Sequence, residues 1–71
     1  MNNVTFNTIV AAAEKAELIT MVDFAEMMED AEYNKQAVAK QILIIAFNDG
    51  INTEAYEQIK NAYNAHLKAA A

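Results

Sequence analysis

KQAVAKQILIIAFNDG, residues 35–50, contains the longest apolar run of the chain, Ile42 to Phe47. Its reading decides between helix and strand. Taken alone, ILII suits a buried strand, being short and rich in β-branched side chains. It continues, however, through AVAK before and AFN after, which is too long for one strand and has the length of a helix. Asn34 before it is a preferred N-cap residue, and Gly50 after it can take the left-handed conformation that ends a helix. Ile51 is then placed to fold back onto the last turn. The segment is apolar nearly all round, so it is expected to be the central helix against which the others pack.

The same periodicity predicts three more helices, at about residues 7–18, 21–31 and 52–68, beside this one at about 34–48. In the first, Phe6, Ile9, Val10, Ala13 and Ala16 share a face. In the second, Thr20 is the expected N-cap and Asp23 stands in the first turn, where a carboxylate meets unpaired backbone N–H groups and the positive end of the helix dipole. The fourth opens at Asn52 or Thr53 and runs to Lys68, with the terminal alanines expected to fray. No Pro and a single Gly among 71 residues leave little of the punctuation that hairpins need. The expected fold is an all-α, small four-helix bundle forming one helical domain over residues 1–71.

Several chemistries are excluded by absent residues. There is no Cys and no Ser, which removes disulfides, thiolate metal sites and both common nucleophiles. One Gly cannot build a phosphate-cradling loop. His66, the single histidine, falls on the apolar face of the fourth helix with Ala55, Ile59, Ala62 and Tyr63, and has no carboxylate three or four residues away to pair with. It is expected to be a partly buried structural side chain. Residues 30–34, DAEYN, imitate the start of a calcium loop through Asp30, Glu32 and Asn34, but Lys35 replaces the obligatory Gly and Gln41 the closing Glu. No catalytic residue, metal or cofactor is expected.

In size, acidity and helix count the chain resembles the acyl carrier proteins. That family tethers its prosthetic group to a Ser at the start of the second helix, and here Thr20, Met21 and Val22 occupy those positions. The resemblance ends there and implies no prosthetic group.

Charge is the most informative feature left. Between Glu17 and Asn34 lie Glu17, Asp23, Glu26, Glu29, Asp30 and Glu32 with no Lys, whereas the rest of the chain sets four acids against five lysines, for a net charge of −5. On a helical wheel Asp23, Glu26, Glu29 and Asp30 fall within about 120° of arc. Met21, Phe24, Ala25, Met27, Met28 and Ala31 fill most of the other side, the methionines being expected as core filler. A solubilising helix ordinarily mixes signs, and here Glu26 and Asp30 instead repel at i,i+4. A single-signed field of this density steers basic partners and repels phosphate backbones.

The expectation is a non-enzymatic binding protein that occupies the basic surface of a larger, nucleic-acid-handling protein. Size and charge are similar to those of phage-encoded antagonists of host defence or transcription. The expected contact residues are Asp23, Glu26, Glu29, Asp30, Glu32 and the exposed Tyr33. Direct nucleic-acid binding is not expected, because the five lysines form no patch. The alternative is a homo-oligomeric assembly module, a homodimer in its simplest form, that enlarges a small core by pairing. The first ten residues lack a secretory pattern and no apolar run approaches the roughly 20 residues of a membrane span, so a cytoplasmic protein with no membrane association is expected.

Overall fold

The structure, a computed structural model, describes residues 2–50 and 53–70. Four helices follow one another: α1 (Asn3–Lys15), α2 (Met21–Asp30), α3 (Lys35–Asp49) and α4 (Thr53–Ala70). No strand occurs among the described residues. The ILII segment lies inside α3, so length and flanks outweigh β-branching, as tertiary burial commonly outweighs propensity.

Helix α3 packs against each of the other three, and α1 and α4 also pack on each other. Ile9, Val38, Ile42 and Ile59 are its fully enclosed branched side chains, drawn from α1, α3 and α4, and Phe6, Ala13 and Tyr63 close around them. Each such aliphatic side chain contributes about 1.5–3 kcal/mol on burial. Helix α2 is the lightest attachment, with Met27 as its single buried residue. Phe24, Met28 and Ala31 are half-buried beside it, and the Phe24 ring meets Phe6 of α1 at 5.9 Å between centroids.

The helix ends differ from expectation in an instructive way. Helix α1 begins at Asn3, four residues before the expected Asn7, because the Asn2 side chain accepts a hydrogen bond from the Thr5 N–H at 2.8 Å. It stops at Lys15, short of Leu18: the Glu17 N–H donates to Glu14 O and the Leu18 N–H to Ala13 O, the paired bonds of a Schellman turn. Helix α2 ends the same way, with the Glu32 N–H donating to Glu29 O and the Tyr33 N–H to Met28 O. The left-handed residues in these turns are Glu17 (φ 59°), Glu32 (φ 53°) and Tyr33 (φ 63°), none of them glycine.

A left-handed L-residue costs about 1–2 kcal/mol, and glycine's greater unfolded-state freedom offsets about half of the relief. Glu17→Gly is therefore expected to stabilise the fold by roughly 0.5–1 kcal/mol, raising the midpoint of a thermal melt by a few degrees. An unchanged or lowered midpoint would show that the Glu17 side chain contributes more than its backbone strain removes.

The remaining boundaries follow the expected chemistry. Asn34 caps α3 by accepting from the Ala37 N–H at 3.2 Å, and Gly50 ends it with φ 67°. The expected fold-back of Ile51 and the opening of the fourth helix at Asn52 fall outside the described residues. No helix among the described residues is long and apolar enough to cross a membrane.

Candidate protein-binding surface

Helix α2 mounts the acids, and a reciprocal capping box sets its start. The Asp23 N–H donates to Thr20 Oγ1 and the Thr20 N–H to Asp23 Oδ2, both at 3.0 Å. Asp23 thus has an intramolecular task as well as a charge. Glu26, Glu29 and Asp30 are exposed, and no lysine comes within ion-pair distance of them among the described residues.

The arc is not one cluster. Asp23, Glu26 and Asp30 line a groove of about 250 Å3 between α2 and α3, whose other wall includes Gln41 and Ile45. Glu29 stands further round the helix, toward solvent. Glu32 and Tyr33 occupy the left-handed turn after α2, which carries Tyr33 out of the core so that it is 71% exposed. The structure therefore presents the expected contact residues as an acidic groove wall, an outer acid and an exposed aromatic at the helix end.

The lysines are distributed elsewhere. Lys35 reaches back to the Asn3 side-chain oxygen and lies 5.7 Å from the Phe6 ring centroid. Lys60 pairs with Glu57 at 3.4 Å and stands 5.4 Å from the Tyr56 ring. Both cations are engaged on α1, α3 and α4, and among the described residues no lysine forms an ion pair with an acid of α2. Among the described residues no group of three or more His, Asp or Glu side chains is arranged to hold a metal, and His66 is half-buried on α4.

Two expectations about apolar side chains are corrected. Met21 is not core filler: it is 77% exposed, whereas Met27 of the same helix is buried. Helix α3, although apolar all round, is not enclosed all round, since Ile44 and Phe47 face solvent opposite Ile42 and Ala46. Sequence reasoning missed this second surface. Lys40 lies on the same side of the wheel as Ile44 and Phe47 and marks the outward face, but apolar residues on every side of the helix mask so short a polar signal.

No protein-family model, curated protein or solved structure matches the chain. The class it falls in is therefore the one its own geometry defines, a small four-helix protein with one helix face of a single charge sign.

Proposed function

We propose that this chain is a small, non-enzymatic binding protein of the cytoplasm that lays the acidic face of α2 on the basic surface of a larger, nucleic-acid-handling protein, as phage-encoded antagonists of host machinery do. The observation that carries the reading is the row of exposed carboxylates on one ordered helix, none of them in an ion pair with a lysine among the described residues. Ten residues of α helix span about 15 Å, so Asp23, Glu26, Glu29 and Asp30 supply about one charge per 4 Å of axis. A nucleic-acid strand in a duplex offers about one per 3.4 Å. A groove built for a phosphate strand would thus meet carboxylates at similar density, and Tyr33 at the end of the row adds the amphipathic contact common at interfaces.

The test begins with affinity capture of the partner from the source cells and its identification by mass spectrometry. Calorimetry then compares the wild-type chain with the triple variant Glu26→Gln, Glu29→Gln, Asp30→Asn. The variant is expected to bind at least tenfold more weakly at low salt and to show a flatter dependence on salt concentration. Its own stability should stay the same or rise by a few tenths of a kcal/mol, because the Glu26–Asp30 repulsion is removed. Unchanged affinity would place the contact on another face and refute the reading.

A further inference from the structure

Two apolar helix faces are left uncovered, and they match each other. The outward side of α2 carries Val22 (67% exposed) with Ala25, Glu26 and Glu29 around it on the wheel, and Met21 (77%) at its margin in the first turn. The outward side of α3 carries Lys40, then Ile44 (50% exposed) and Phe47 (67%). Phe47 packs edge-on to Tyr56 of α4 at 5.8 Å between centroids, and the two rings flank a small apolar recess with Ala46, Gly50 and Thr53. Among the described residues the other large exposed apolar side chains, Val4, Tyr33 and Leu67, stand singly on other segments.

We infer that the occupant of the α3 face is the α2 face of a second copy of this chain, in a weak head-to-tail contact. Three features of the two faces support this pairing. The apolar pairs come first on α2 and last on α3, so antiparallel helices bring Met21 and Val22 onto Ile44 and Phe47. In that register Val22 to Glu26 and Ile44 to Lys40 are each four residues, about 6 Å of axis, which sets Glu26 beside Lys40. Lys40 makes no ion pair among the described residues of its own chain. The positive N-terminal end of α2 meets the negative C-terminal end of α3, where dipole and charge agree.

The contact joins two different faces, so it is heterologous: unless a ring closes, the assembly keeps one unused α2 face at one end and one unused α3 face at the other. It also covers Glu26 and Glu29, so self-association competes with binding of a basic partner through α2. The inference does not depend on that partner, since it is read on the purified chain alone.

Sedimentation velocity tests it with two variants, Val22→Lys to spoil the α2 face and Phe47→Glu to spoil the α3 face. The contact, proposed as a weak one, is expected to associate in roughly the 0.1–1 mM range, the low end of the affinity scale. At about 1 mM the wild type is expected to sediment above monomer mass, more so at low salt, and each variant alone as a monomer. Their equimolar mixture should form a 1:1 dimer that grows no further, because one intact α2 face and one intact α3 face remain between them. Both positions are solvent-exposed, and thermal melts check that the variants fold; should Phe47→Glu not fold, Lys40→Glu takes its place as the α3-face variant. A wild type that is monomeric at about 1 mM overturns the inference. So does a mixture that stays monomeric, or a single variant that still associates as the wild type does.

Discussion

Ile42→Ala is expected to lower the thermal midpoint by at least about 10 °C and to leave a substantial fraction of the chain unfolded at 37 °C. Ile42 is completely enclosed at the middle of α3, the helix that packs against all three others. Truncating such a side chain costs about 2–5 kcal/mol, from lost burial and from the cavity left behind. A 71-residue domain has only about 4–10 kcal/mol of total stability at the usual 0.05–0.15 per residue. Each kcal/mol moves the midpoint by about 4–8 °C in a domain of this size. Circular dichroism at 222 nm reads the effect, and Ile42→Val, which costs about 0.5–1.5 kcal/mol, provides the graded control. A shift under 3 °C for the alanine variant would contradict the central position of Ile42.

Met27→Ala is expected to act locally. Because Met27 is the one buried side chain of α2, its loss falls on the docking of that helix, while the packing of Ile9, Ile42 and Ile59 is untouched. Phe24 against Phe6 and the half-buried Met28 and Ala31 then hold α2. Hydrogen exchange should show the α2 amides losing protection by a factor of ten or more, with the amides of α1, α3 and α4 changing little. Uniform loss of protection across all four helices would show instead that α2 opens only with the whole fold. If α2 carries the partner contact, the same variant should bind more weakly in proportion to the fraction of molecules with α2 docked.

These two substitutions mark where the sequence was legible. The buried positions of α1 repeat at helical spacing, so Phe6, Ile9, Val10 and Ala13 could be named from the pattern. The acidic arc was legible for the same reason, since Glu26, Glu29 and Asp30 alternate with apolar residues that need cover. The capping box was legible from Thr20 and Asp23 three residues apart. Helix α3 was legible as a helix and as the hub, but not as a surface: Ile44 and Ile42 are the same residue type, and only the positions of α2 and α4 decide which of them is enclosed. Met21 was misassigned because a wheel assumes cover along the whole length of a helix, and the cover of α2, from Phe24 to Ala31, does not reach its first residue. The early end of α1 left no mark, because Glu17 holds backbone angles that favour glycine.

The joint between α2 and α3 restricts which side chains the chain can place at its aromatic contact. Two successive left-handed residues, Glu32 and Tyr33, turn the backbone there. Valine, isoleucine and threonine are the residue types least able to adopt that conformation, because their branched Cβ crowds the following carbonyl. The vocabulary open to the contact is thus narrowed to glycine, asparagine, aspartate and unbranched or aromatic side chains before any partner selects among them. Variation at these two positions among related chains would report the geometry of the turn first and the chemistry of recognition second.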